Sequence, residues 1–172
     1  MQISINANRC EPSPMRKFHP LAVQAKKEGK KIYHLNIGQP DLPTPPAYYE
    51  AIHKFADRTL AYEASPGMPI MIEAVKKYYQ QLNVDLEDND ILITTGGSEA
   101  LLFTFLSILD PYTEVIIPEP YYPNYTTFVH AAGGVIRALP TNPWEGYRYA
   151  DRQRIESLIT PNTRAIMITN PG

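Results

Sequence analysis

The chain has 172 residues, 44% of them apolar, and its 16 Lys+Arg against 18 Asp+Glu leave a formal charge of −2. That length suits one domain with a substantial core, and that charge gives no reason to expect nucleic acid or an anionic membrane as a partner. The lone cysteine, Cys10, excludes an internal disulfide, which fits a reducing cytosol.

Other classes drop out on local grounds. Asn6, Asn8, Arg9 and Glu11 stand where an export signal needs an apolar run. The longest apolar run, Ala100 to Leu109, is too short to span a bilayer and carries Thr104 and Ser107. A soluble, cytoplasmic protein is the expectation. His19, His34, His53 and His130 are scattered without metal-ligand spacing, so no metal site is expected and structural or surface roles are assigned to them. No Gly-x-Ser-x-Gly elbow occurs, and no internal repeat.

In chain order, Ser13-Pro14 opens a helical stretch from about Met15 to Lys27, ended by Gly29, with Pro14 and Pro20 disturbing its first turns. Lys31 to Asn36 alternates weakly and predicts a short strand running into the turn Ile37-Gly38-Gln39-Pro40-Asp41. Gly38 is either a turn glycine or a place where a ligand approaches bare backbone. Thr44-Pro45-Pro46 predicts a helix start with Thr44 as N-cap, running to about Ala56. Leu60 to Gly67 is too rich in Ser, Pro and Gly for regular structure. Pro69 starts the next helix, where Ile72, Val75, Tyr79 and Leu82 form one apolar stripe, read as core.

After an acidic turn, Asp85 to Asp90, the β-branched run Ile91 to Thr95 predicts a buried strand and Glu99 to Leu109 a buried helix. Asp110-Pro111 breaks the helix, and Glu114 to Pro118 is a second strand. A loop with Tyr121 and Tyr122 follows, then a helix to Ala132 closed by Gly133-Gly134. Val135 to Leu139 is a third strand, Asp151 caps a helix to about Ile159, and Arg164 to Thr169 is a fourth strand. Strands alternating with helices across short loops predict an α/β fold, a mostly parallel sheet with helices on both faces.

The turn between the strand at 91–95 and its helix, Gly96-Gly97-Ser98, leaves backbone N–H groups unpaired at a helix N-terminus, where an anion is favoured. Ordinary turn chemistry, with Ser98 capping its own helix, reads the same residues without a ligand. Neither a P-loop nor the dinucleotide fingerprint is present. In parallel α/β sheets ligands bind at the carboxyl ends of the strands, and the Tyr121-Tyr122 loop lies on that same edge. An aromatic beside a phosphate cup suggests a flat ring stacked on Tyr122 or Tyr121, whereas loop tyrosines also pack on neighbouring chain or at subunit interfaces.

Five signals in order carry a resemblance: Asn36-Ile37-Gly38-Gln39-Pro40-Asp41; Tyr62 followed by Gly67; Thr95-Gly96-Gly97-Ser98-Glu99-Ala100-Leu101; Pro120-Tyr121-Tyr122-Pro123-Asn124-Tyr125; and Thr169-Asn170-Pro171-Gly172. Over essentially its whole length the chain resembles class I/II aminotransferases, the fold-type I pyridoxal-phosphate enzymes similar to aspartate aminotransferase. The resemblance implies the first part of a large cofactor-binding domain from 47 to 172, preceded by a small-domain segment, 1–46. It implies that Gly97, Ser98 and Glu99 cup the phosphate of pyridoxal 5'-phosphate, chiefly by backbone N–H groups. Tyr122 matches the position stacked on the pyridine ring, and Gly38 the position against the substrate carboxylate. Tyr62 matches a tyrosine that reaches the phosphate in the partner subunit, which implies a homodimer with composite sites.

The pattern breaks off at Gly172, where the family continues into Asn-Pro-Thr-Gly, so Asn170 takes no cofactor role. In the family the ring-nitrogen aspartate, Schiff-base lysine and carboxylate-binding arginine come later still, and no lysine here sits in a matching context. No catalytic residue is therefore assigned. The chain is expected to be the N-terminal part of an aminotransferase with amino-acid and 2-oxo-acid substrates, aspartate first, and unable to transaminate by itself. The alternatives are a lyase or decarboxylase of the same fold, an effector-sensing regulator and a non-catalytic phosphate-binding module. A regulator would carry a DNA-binding segment in front, for which the residues before the first helix offer no basic patch.

Overall fold

The computed structural model describes residues 2–11, 13–56 and 59–170, so Pro171 and Gly172 of the last motif lie outside the described residues. Two compact units divide the chain: residues 1–16 with 94–172, and residues 17–93.

The first unit is built on a three-stranded parallel sheet of β1 (Glu114–Pro118), β2 (Val135–Leu139) and β3 (Thr163–Ile166), ordered β2-β1-β3. The central strand explains itself from its sequence. Val115, Ile116 and Ile117 are β-branched without a polar break, as a strand covered on both faces requires, and they are at most 2% exposed. Parallel neighbours need a crossover, and α6 (Asn124–Ala131) supplies it between β1 and β2. On one face Val115 and Ile117 pack with Val129 of α6 and with Phe105 and Leu109. Phe105 lies in α5 (Gly97–Ile108) and Leu109 is its C-cap. Each such side chain contributes about 1.5–3 kcal/mol on burial.

α6 ends as its two glycines demand. Gly133 N–H donates to the His130 carbonyl (3.0 Å) and Gly134 N–H to that of Val129 (2.9 Å), the Schellman pairing. The same end receives α1 (Ile5–Arg9), a short helix capped by Ser4 that the sequence reading had not anticipated. Arg9 donates to the Gly134 carbonyl at 3.0 Å, Asn6 to that of Ala131 at 3.3 Å, and His130 Nδ1 lies 2.9 Å from the Arg9 carbonyl. Asn6 thus satisfies a last-turn carbonyl that α6 leaves unpaired, while Arg9 holds the carbonyl of the glycine turn beyond it. Helix α7 (Arg152–Leu158) lies against β2 and is capped by Asp151, which accepts from Arg154 N–H, as expected.

The second unit carries α2 (His19–Lys27), α3 (Pro46–Lys54) and α4 (Pro69–Gln80). The stretch expected to be helical from Met15 begins as a 3-10 turn, Arg16–Phe18, and becomes α-helix only at His19, with Pro20 in the first turn where its missing N–H costs nothing. Thr44 is not the N-cap of α3: Pro45 holds that position with no side-chain bond, and Pro46 is the first helical residue. The α4 stripe is not core throughout. Ile72 is buried, but Tyr79 and Leu82 are exposed. Lys76 of α4 reaches Asp88 at 2.7 Å, tying the helix to the acidic turn, where Glu87 and Asp90 form a capping box.

Two expected strands are not formed among the described residues. Lys31–Asn36 has no ladder and Leu35 is 95% exposed. Ile91–Thr95 is extended at Ile91 (φ −121°, ψ 128°), but no strand among the described residues pairs with it. Ile93 N–H instead donates to the Pro66 carbonyl at 2.8 Å. A strand is a pairing of two segments, and β-branched composition alone cannot supply the second one. Nor is α5 buried all round. Leu101, Phe105 and Leu109, at i, i+4 and i+8, face the core, while Phe103 and Leu106 of the same helix are exposed.

Candidate functional site

The turn into α5 is held in shape by its own side chains. Gly96 is the N-cap at φ 100°, ψ 170°, a backbone conformation that costs any residue with a Cβ about 1–3 kcal/mol. Thr94 Oγ1 donates to the Gly96 carbonyl at 2.9 Å, and Thr95 N–H donates to Glu99 Oε2 at 2.6 Å. Ser98 is the second helical residue and does not cap the helix; no side-chain cap bond is made.

The first intrahelical bond is Ala100 N–H to the Gly96 carbonyl, 3.3 Å. The N–H groups of Gly97, Ser98 and Glu99 therefore precede the helical ladder, and none of them finds an acceptor among the described residues. Gly97 and Ser98 are exposed, and a Cβ built on Gly97 meets nothing within 4 Å. Three adjacent donors, a hydroxyl and the positive end of the helix dipole make a donor set for a small tetrahedral anion.

Tyr122 sits on the loop beyond the carboxyl end of β1, in the same unit. The loop is packed into place: Asn124 Nδ2 donates to the Tyr122 hydroxyl at 2.8 Å, and the Tyr122 ring meets Tyr125 edge-on at 5.6 Å. Tyr125 in turn stacks with Tyr121 (6.3 Å, 18° between planes), and its hydroxyl lies 3.3 Å from Thr169 Oγ1 beyond the end of β3. Tyr122 is held at its hydroxyl by Asn124 and keeps 47% of its surface exposed. The supporting roles of Tyr125 and Asn124 escaped the sequence reading, although both stand in the quoted Pro-Tyr-Tyr-Pro-Asn-Tyr motif.

Gly38 and Tyr62 belong to the second unit. Gly38 is exposed and a Cβ there would meet nothing within 4 Å, so no packing among the described residues requires glycine. Tyr62 is 105% exposed. Its loop is nevertheless anchored: Gly67, at φ +116°, accepts no side chain, because a Cβ would lie 2.5 Å from Ile93 Cβ. Gly67 N–H also donates to the Ala64 carbonyl at 2.9 Å, closing the turn 64–67 that follows Tyr62. Among the described residues no cluster of His, Cys, Asp and Glu could hold a metal ion, and no helix is long and apolar enough to cross a membrane.

Comparison with known proteins gives this geometry its context. The family model for aminotransferase class I and II matches residues 30–172. A probable aspartate/prephenate aminotransferase of Thermus aquaticus is 32% identical over 172 residues, covering 99% of this chain and 45% of that protein. The crystal structure of the aspartate aminotransferase from Rhizobium meliloti superposes with a TM-score of 0.89 at 29% identity, over 100% of this chain and 43% of that one. An alanine aminotransferase from Pyrococcus furiosus gives 0.86 at 31% identity, over 99% and 45%. The chain thus spans less than half the length of the curated relatives it matches. With its parallel sheet and its ordered series of motifs, it belongs to the class I and II aminotransferase family.

Proposed function

We propose that the chain is the N-terminal part of an enzyme that moves an amino group from an amino acid, aspartate by first choice, to a 2-oxo acid with pyridoxal 5'-phosphate as cofactor. The observation that carries this reading is the set of N–H donors at Gly97, Ser98 and Glu99 that precede the ladder of α5, in the unit that also fixes Tyr122 at the carboxyl edge of β1. The donor set suits the cofactor's phosphate, which needs several hydrogen-bond donors and no metal. When bound, the cofactor supplies an electron sink for the charge left on the substrate as its α-proton departs.

What this chain contributes is binding and orientation. Gly97, Ser98 and Glu99 would hold the phosphate by their N–H groups, with the Ser98 hydroxyl as a further donor. Tyr122 would lie against the pyridine ring and limit its tilt. Gly38 would let the substrate carboxylate approach backbone. Tyr62, fully exposed here, would serve the phosphate of a second subunit in a homodimer. The lysine, the ring-nitrogen acid and the carboxylate-binding arginine are expected in the remainder of the complete protein, and the 172-residue chain is proposed to be inactive alone. A small-domain segment 1–46 and a large-domain part 47–172 are proposed for that complete protein, in place of the boundaries at 16/17 and 93/94 seen between the present units. A cytosolic location belongs to the same proposal.

The test is the intact mass of the native gene product, followed by borohydride reduction and peptide mapping. A mass well above 19.5 kDa with a reduced cofactor–lysine adduct supports the reading. Absence of any adduct in the complete protein overturns it. Assay with aspartate and 2-oxoglutarate then distinguishes amino transfer, which yields a new keto acid, from a lyase releasing ammonia or a decarboxylase releasing carbon dioxide.

A further inference from the structure

The side chain of Glu99 has a role that its backbone donor does not account for. Its carboxylate folds back across the mouth of the turn, and Oε2 accepts the Thr95 N–H at 2.6 Å, a short charge-assisted bond. From the other side Thr94 Oγ1 holds the Gly96 carbonyl at 2.9 Å, and Gly96 between them has the φ of 100° that lets the chain turn from extended segment to helix. These two bonds span the residues immediately before the donors of Gly97 and Ser98. We propose that Glu99 is a positioning residue for the cofactor phosphate: its carboxylate fixes the turn at 95–97 and so orders the N–H groups of Gly97 and Ser98 before the phosphate arrives.

The same carboxylate has an opposing effect. A negative charge on the same turn as the donors repels a phosphate carrying negative charge, so Glu99 orders the cup and weakens its field at once. Ordering and repulsion separate by substitution. In Glu99→Gln the side-chain amide oxygen still accepts from Thr95 N–H and the repulsion is gone. In Glu99→Ala both are gone. In Glu99→Asp the charge stays, but the side chain is one methylene too short to reach Thr95 from the first turn. Simple repulsion predicts that Ala and Gln both tighten binding. Positioning predicts that Gln tightens it while Ala and Asp weaken it.

The inference rests on the proposed cofactor reading, so the wild-type complete protein is the control. The measurement is the dissociation constant and release rate of pyridoxal 5'-phosphate by its absorbance, together with hydrogen exchange of the Thr95 amide in the cofactor-free protein. Loss of a charge-assisted hydrogen bond is expected to weaken binding about tenfold or more in Glu99→Ala and Glu99→Asp, with faster Thr95 exchange in both. Glu99→Gln is expected to keep the slow exchange and bind at least as tightly as wild type. If Glu99→Ala fails to fold, the order Gln, Glu, Asp from tightest to weakest carries the proposal. Wild-type affinity and slow Thr95 exchange in Glu99→Asp or Glu99→Ala overturn the positioning role and leave the cofactor reading intact. No binding by the wild-type complete protein removes the cofactor reading and this inference with it.

Discussion

Glu114 and Arg137 meet diagonally across neighbouring strands of the parallel sheet, with Arg137 Nη2 2.9 Å and Nε 3.0 Å from Glu114 Oε1. The other carboxylate oxygen accepts from the Thr160 hydroxyl at 2.6 Å, and Glu114 N–H donates to the Asn162 carbonyl at 2.9 Å. Glu114 is 7% exposed, so a carboxylate at the start of the central strand is tolerated because each of its oxygens is occupied. The pair ties β1 to β2, and the Thr160 bond ties it to the turn that enters β3.

Removing the cation should therefore cost more than an exposed ion pair is worth. Arg137→Ala leaves Glu114 buried without its cation, with the Thr160 hydroxyl still on the side chain. The expected loss is about 1–3 kcal/mol in urea denaturation of the complete protein, toward the lower end because the guanidinium is half exposed. Glu114→Gln, which keeps a hydrogen-bonding side chain of the same shape, should lose less. A wild-type midpoint for Arg137→Ala would show that the contact is energetically idle.

The same pair sets a pH dependence. The Arg137 guanidinium first, then the Thr160 hydroxyl, hold the Glu114 carboxyl below the usual carboxylate range. A carboxyl with a depressed pKa in the folded state stabilises the fold fully above its unfolded value of about 4.3, and that contribution disappears as pH falls through the lower folded value. Wild type should thus lose stability on acidification below about pH 4 more steeply than Glu114→Gln. Parallel stability-against-pH curves for the two proteins would exclude Glu114 as a source of that slope.

The core of the first unit rests on Phe105, 2% exposed and packed with Val115, Ile117 and Val129. Phe105→Ala should cost about 3–5 kcal/mol by transfer and cavity formation. Phe103→Ala, at an exposed position of the same helix in this structure, is expected to cost under about 1 kcal/mol. Thermal melts of the two variants read the difference directly.

Gly67 is required twice over, by its φ of +116° and by Ile93 Cβ at 2.5 Å from where a methyl group would sit. Gly67→Ala is expected to destabilise by about 2 kcal/mol or more. Proteolysis should find the 60–67 loop, with Tyr62 on it, cut faster in the variant than in wild type.

For the cofactor reading, Tyr122→Phe keeps the ring and loses only the Asn124 hydrogen bond, whereas Tyr122→Ala removes the ring. Cofactor release should speed up about tenfold in Tyr122→Ala and much less in Tyr122→Phe. Equal release from all three proteins would leave Tyr122 as packing for Tyr125 alone.

The sequence by itself determined the elements whose signals are local or whose burial is complete. β1 is legible because Val115, Ile116 and Ile117 leave no polar face, and the cap of α7 because Asp151 stands three residues before the N–H it accepts. The Gly133-Gly134 stop and the helix start at Pro69 are local in the same sense. So is the glycine turn before α5, whose unpaired donors follow from any helix beginning there. The tertiary structure decided what depends on a second segment. Ile91–Thr95 has the composition of a strand and Lys31–Asn36 a weak alternation, and neither pairs with a strand among the described residues, because a ladder requires two backbones. Tyr79 and Leu82 follow a core period and remain exposed, since periodicity orients a face without supplying what covers it. The direction of the Glu99 carboxylate, toward Thr95 and across the turn, depends on where Gly96 puts the backbone in space, and residue spacing carries no such coordinate.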